Sequence, residues 1–223
     1  GGEAGTALTT GDGNVAVGFE ALATEDADGS NTAIGYRALK VLNAGAEGYN
    51  VAVGTDAGLS MTLGIQNTLV GNKAGDALTD ADFNVAVGRS SLTSDTLGSK
   101  STAVGHGTLN TQNFTSATDS FNTAVGYQAG AAVTTGASNT FVGALAGDAN
   151  TTGYENTAVG EGSLSACTEG FENTVIGHNS GAAITTGDNN TFVGNAAGQA
   201  TTTAGANTAV GNAALASNTT GAN

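Results

Sequence analysis

Two histidines, one cysteine and two Asp-x-Asp pairs are the side chains in this sequence whose types could support metal binding or catalysis. His106 and His178 hold the same place in a repeated segment, four repeats apart. At one repeat per strand spacing that is about 19 Å, too far for the two to share a metal within one chain. Three copies of one histidine could meet around a threefold axis, whereas the plainer reading is surface histidine. Asp26/Asp28 and Asp80/Asp82 lack the G-G-x-G-x-D context of calcium-binding β-rolls and the EF-hand loop pattern, so they read as solvated turn acids. Cys167 is alone and excludes an intrachain disulfide; it falls at a repeat position also filled by Leu78, Val133 and Ile184, and so reads as a small buried apolar residue. No glycine-rich phosphate loop stands in a β-α context and no Ser/His/Asp arrangement emerges. These residues predict neither catalysis nor a bound cofactor or metal.

What surrounds them is a repeat. Asn-Thr-Ala-Val-Gly or a near copy begins at residues 14, 31, 50, 67, 84, 101, 122, 139, 156, 173, 190 and 207, and nine of the eleven spacings are 17. A fixed short period is the mark of stacked coils. With Asn as position 1, position 5 is glycine in every copy: Gly18, Gly35, Gly54, Gly71, Gly88, Gly105, Gly126, Gly143, Gly160, Gly177, Gly194 and Gly211. Position 4 is Val or Ile, position 2 is Thr in nine copies and Val in three, position 8 is always small, and position 9 is always Leu or Gly. Short β-branched runs bounded by Gly and Asn are strand and turn signals. The invariant glycine predicts a corner with positive φ or a close backbone approach. A Thr-Gly step near the end of the unit, as at Thr152-Gly153, marks a second turn. The expectation is an all-β parallel β-solenoid, or β-roll, of about twelve 17-residue coils with two short strands per coil. Stacked at about 4.8 Å, the coils would span roughly 60 Å.

Composition agrees. There are 36 Gly, no Pro and no Trp, and much of the 39% hydrophobic content is Ala, which suits a thin interior between closely spaced walls. The formal charge is −14, and residues 101–223 contain no Lys or Arg. That argues against nucleic-acid binding and attraction to anionic membranes, and favours same-sign charge that keeps exposed strands apart. No run approaches the length of a membrane span.

Strand alternation allows two facings. If Val at position 4 points into the coil, position 2 does too, and position 3 points out. Position 3 is Ala in eight copies and otherwise Leu69, Phe141, Val175 or Phe192, never polar. A strand apolar on both faces must be covered on both, so this facing predicts an oligomer interface at Leu69, Phe141, Val175 and Phe192. The reverse facing turns Ala inward and sets Thr and Val in an outward ladder, which can face water.

Asn at position 1 predicts a stacked side-chain ladder at a turn. Tyr49, Phe83, Phe121, Tyr154 and Phe171 cluster just before the next Asn and predict caps on the edge of the interior, with a carbohydrate-stacking platform as the functional alternative. The coils from Asn31 and Ser101 are longer by two and four residues, near residues 41–49 and 110–120. Insertions in solenoids emerge as loops. Gln112, Asn113 and Phe114 form the candidate contact loop, and a plain spacer is the alternative. Residues 1–13 align with the end of a further unit, so the domain reading is a partial coil over 1–13 and one repeat domain over 14–223. Neither end has a polar cap, which suggests an excerpt of a longer repetitive chain.

The unit Asn-Thr-Ala-Val-Gly-Tyr-Gln-Ala-Gly at residues 122–130 resembles the head repeat of trimeric autotransporter adhesins, typified by the Yersinia adhesin. It is more similar still to seventeen-residue repeats of bacteriophage tail fibres. The resemblance spans essentially the whole chain and departs from the adhesin heads in coil length. It implies a left-handed β-roll homotrimer that carries attachment on a virion or in the extracellular space, with a cell-surface receptor or glycan as partner. The expected function is a structural attachment fibre segment. The alternatives are an extracellular filament stacked end to end and an ice-binding solenoid.

Overall fold

A parallel β-solenoid follows from one backbone geometry repeated about every 17 residues, seen in a computed structural model that describes residues 1–27, 29–45 and 47–221. Asp28 of the first Asp-x-Asp pair, and Ala46 in the two-residue insertion, lie outside the described residues. The chain divides into two compact units, Gly1–Asp119 and Ser120–Asn223.

In unit 1 the main ladder consists of β1 (Val15–Val17), β2 (Thr32–Ile34), β3 (Val51–Val53), β4 (Thr68–Val70), β5 (Val85–Val87) and β7 (Thr102–Val104). Each is parallel to the next and in register, as in Thr68↔Val85 and Val70↔Val87. Two-residue strands β6 (Gly98–Ser99) and β8 (Thr118–Asp119) pair separately. Unit 2 repeats the ladder with β9 (Thr123–Val125), β10 (Thr140–Val142), β11 (Thr157–Val159), β12 (Thr174–Ile176), β13 (Thr191–Val193) and β14 (Thr208–Val210). Among the described residues no helix is long and apolar enough to cross a membrane.

Most coils hold one strand, not the two expected. Positions 7 and 9 and the residue just before the next position 1 take left-handed φ, as at Arg37 (55°), Leu39 (48°) and Tyr49 (50°). A chain that reverses this often cannot run extended. It still bonds coil to coil, through single contacts such as Thr134 N to Thr151 O and Thr151 N to Thr168 O, both 2.9 Å. Threonine hydroxyls reinforce this side: Thr151 Oγ1 donates to Thr168 O at 2.8 Å.

The corner glycine does both things expected of it. Gly71 has φ 140°, and a Cβ there would sit 2.5 Å from the carbonyl oxygen of Gly88 in the next coil. The asparagine ladder also forms. Asn67 N donates to Asn50 Oδ1 and Asn84 N to Asn67 Oδ1, both at 2.9 Å, while Asn67 Nδ2 donates to Ala81 O at 2.8 Å. These asparagines are buried, and each side chain ties its own coil to the next, which answers the desolvation that burial imposes.

The interior is filled by positions 3, 8, 9 and 12. Where position 3 is Leu69, Phe141, Val175 or Phe192, position 9 is Gly75, Gly147, Gly181 or Gly198; where position 9 is Leu, position 3 is Ala. A Cβ on Gly147 would lie 2.5 Å from the Phe141 ring, so the two positions share one volume. Position 12 is buried in every full coil but the last, whether apolar, as Leu78 and Ile184, or polar, as Asp95 and Asn150. Burial pushes the thiol of Cys167, at this position, up to about 11.

Two substitutions test this account. Gly71→Ala meets both a forbidden φ and a backbone oxygen, and is expected to destabilise by about 3 kcal/mol or more in urea unfolding. Asn150 has both carboxamide atoms buried with no hydrogen-bond partner among the described residues. Asn150→Val, which copies Val133 at the same position, is expected to stabilise by about 1–3 kcal/mol in the same assay.

Candidate assembly face

The strand side of each unit is the surface with distinctive chemistry, and its facing corrects the sequence expectation. Position 3 points inward. Leu69, Phe141, Val175 and Phe192, expected at an oligomer interface, are all 0% exposed within the coil. Two physical reasons select this facing. A buried Phe removes more apolar surface from water than a Val does. Inward-facing position 2 would also bring a threonine hydroxyl into the interior in nine coils, each needing a partner. Turning the strand over leaves the hydroxyls outside.

Positions 2 and 4 therefore form two outward rows on each unit. One is Thr or Val, the other Val or Ile, with rows stepping at about the 4.8 Å spacing of paired strands. No charged residue occupies either position in any coil of this −14 chain. The rows are partly or largely open to solvent, with Val17 at 52% and Ile176 at 39%. Among the described residues fifteen large hydrophobics are exposed, and seven lie in these rows: Val15, Val17, Ile34, Val51, Val125, Ile176 and Val210. Six more directly border the repeat motif, at position 6 or immediately before position 1: Phe19, Tyr36, Tyr49, Phe83, Phe121 and Tyr127. Thirteen of the fifteen thus belong to the strand side or its borders in sequence. The signal for this face in the sequence was the absence of charge at positions 2 and 4 together with the threonine hydroxyls.

The aromatics do not cap the interior. Tyr49, Phe83, Phe121 and Tyr154 are exposed, because the interior at the motif edge is already occupied by the buried asparagines. Some stack on their copies. Tyr154 and Phe171 lie with centroids 4.8 Å apart and 2° between planes, and Phe19 and Tyr36 at 5.7 Å and 14°. Rings that cover each other's faces in this way leave less open face for a sugar. Arg37 sits over Tyr36 and pairs with Asp56 at 2.9 Å. His106 Nε2 lies 3.2 Å from Arg89 Nη1, and His178 Nδ1 3.2 Å from Asn195 Nδ2, so each histidine belongs to the side-chain column of position 6.

The candidate contact loop is corrected in two of its three residues. Gln112 and Phe114 are buried, and only Asn113 is exposed. The cause is Asp95, buried at position 12. Its Oδ1 accepts from Gly98 N at 3.1 Å and Phe114 N at 3.0 Å, and its Oδ2 accepts from Gln112 Nε2 at 2.5 Å. Gln112 Nε2 also donates to Ser101 Oγ at 2.9 Å, at the one copy where serine replaces the ladder asparagine. The four-residue insertion is thereby tied to a buried carboxylate.

No family model, curated protein or solved structure matches this chain. The fold and the face therefore define the molecule: a parallel β-solenoid of about 17-residue coils whose strand side is uncharged and built of Thr, Val and Ile.

Removing the carboxylate isolates its role. Asp95→Ala leaves two backbone donors without their acceptor and removes one acceptor of Gln112 Nε2, and is expected to lower stability by about 3 kcal/mol and speed hydrogen exchange at Phe114.

Proposed function

We propose that this chain is a segment of a surface fibre, a structural and attachment module of the tail-fibre or adhesin kind, working outside the cell or on a virion. Its strand side packs against further copies of itself. The observation that carries this reading is the charge-free, partly exposed Thr/Val face on a chain of net charge −14. Same-sign charge resists association of like chains, so copies can approach only where charge is absent. β-Branched side chains are stiff before they meet a partner, which limits the entropy lost on packing. Coil-to-coil ladders, bonded on the strand side and on the threonine side, make each unit stiff, as load-bearing fibres require. Contact with a receptor or glycan falls to the exposed turns and to residues such as Asn113.

A second reading draws on one observation. In unit 2 every coil carries Thr at position 2, giving a regular outward hydroxyl row that an ice surface could order against. Thermal hysteresis activity from a single-chain species would put that reading first.

Mass in solution tests the assembly reading. An oligomer, expected as a trimer, supports it, and a stable monomer of 21.4 kDa at micromolar concentration overturns it. Val87→Lys combined with Val142→Lys, each on the outward row, is expected to release monomers. The far-ultraviolet spectrum should stay unchanged, since surface changes alter fold stability by only about 0.5 kcal/mol.

A further inference from the structure

In the sequence His106 and His178 are equivalent; their neighbours in the column of position 6 separate them. His178 stands between Glu161, one coil before, and Asn195, one coil after. Backbone bonds hold the three levels together: Asn179 N donates to Glu161 O and Ala196 N to His178 O, both at 2.9 Å. Side chains in this column meet from coil to coil. The Phe19 and Tyr36 rings stack, Arg89 Nη1 lies 3.2 Å from His106 Nε2, and Asn195 Nδ2 lies 3.2 Å from His178 Nδ1. Glu161 is therefore the column neighbour of the His178 ring on the side away from Asn195.

The ring also meets a second carboxamide, with Asn179 Nδ2 3.3 Å from Nε2. A neutral imidazole accepts at one nitrogen only, so both amide groups cannot donate to it. A half turn of a carboxamide exchanges its nitrogen and oxygen. With Asn195 turned, Nδ1–H donates to its Oδ1, which fixes the tautomer that keeps the lone pair on Nε2. That lone pair faces Asn179, whose Oδ1 leans on Gly162, the residue after Glu161: a Cβ there would sit 2.6 Å from this oxygen. An imidazole nitrogen, a carboxamide and a carboxylate thus lie side by side at the border of the strand face.

We propose that His178 Nε2, the Glu161 carboxylate and Asn179 Oδ1 bind a divalent transition-metal ion of the Zn²⁺ kind, one per chain, with Asn195 orienting the ring. The ion replaces the hydrogen bond between Asn179 and Nε2, and the Asn179 carboxamide turns to present its oxygen. Donors on a tetrahedral zinc ion at about 2.0–2.1 Å stand roughly 3.3 Å apart, the separation that Asn179 and Nε2 already have. Imidazole with oxygen donors suits Zn²⁺, Cu²⁺ and Ni²⁺, whereas Ca²⁺ and Mg²⁺ take oxygen ligands. Among the described residues no three His, Cys, Asp or Glu side chains come together, so it is the carboxamide that completes this donor set.

Charge favours the same place. Unit 2 has six acidic residues and no Lys or Arg, so no side-chain cation of its own competes for Glu161. His106 is the built-in comparison. Its neighbour one coil before is Arg89, whose guanidinium lies against Nε2, and the residue after it is Gly107 in place of an asparagine. A second cation there would be repelled. The site lies within one chain and needs no second copy, so it stands or falls separately from the assembly reading.

The chain has two histidines, so its histidine ring signals in a proton–carbon NMR spectrum are two, assigned with His106→Gln and His178→Gln. ZnCl₂ is titrated into the full chain, with calorimetry in parallel. The expected result is a shift of the His178 signal alone, saturating at one Zn²⁺ per chain, while MgCl₂ and CaCl₂ move neither signal. His178→Gln is expected to abolish binding, and Glu161→Gln and Asn195→Ala each to weaken it about tenfold or more. These three side chains are exposed, and an unchanged far-ultraviolet spectrum confirms that each variant folds. No shift at millimolar Zn²⁺, an equal shift of His106, or unchanged affinity in Glu161→Gln overturns the proposal. Saturation at one Zn²⁺ per three chains places the ion between copies and overturns it as well.

Discussion

One constraint governs each unit: every coil within it lies on the next at the distance between paired parallel strands. Whatever stands at a given position stands directly against its own copy one coil away. At position 5 no side chain fits, since a Cβ on Gly71 would meet the backbone of Gly88. At position 1 asparagine repeats because its carboxamide can accept from the next backbone amide and donate to a carbonyl, as Asn67 does. On the far side threonine repeats because its hydroxyl reaches the next carbonyl. The repeat in the sequence is the imprint of this stacking.

Within that frame the interior has a fixed cross-section that each coil fills in its own way. Phe141 with Gly147, and Ala158 with Leu164, are two solutions of similar volume. Cores tolerate exchange of this kind when total volume is kept. Position 12 shows how far the frame outweighs side-chain preference. It stays buried as Ile184, as Asp95 with its bound amides, and as Asn150 with none. Asp148, two residues earlier, also has a partly buried carboxylate whose pKa burial raises. Ladders on both sides of the coil are strong enough to hold such residues in place.

The same regularity shapes the outside. A solenoid displays rows, and a row with one chemistry over many levels is a surface that meets another row well. In this chain the acids gather on turns and the strand side is left neutral. The exposed hydrophobic residues concentrate there too. In the coil from Ser101, Gln112 joins the buried Asp95 carboxylate to the serine that stands in the asparagine's place.

Period, strand position, corner glycine and asparagine ladder were legible in the sequence, because each depends on a residue meeting its own copy, which spacing alone reveals. The direction in which the strand faces was not. Alternation leaves two facings open, and the choice between them depends on which side chains together fill the interior, a sum over positions 3, 8, 9 and 12 that no single position declares. For the same reason Leu69, Phe141, Val175 and Phe192 read as surface and proved to be core, and Gln112 and Phe114 read as a free loop and proved to be bound to Asp95. Local repetition determined how the coils stack. Packing across the coil, between residues far apart in the unit, decided which face is left open to solvent.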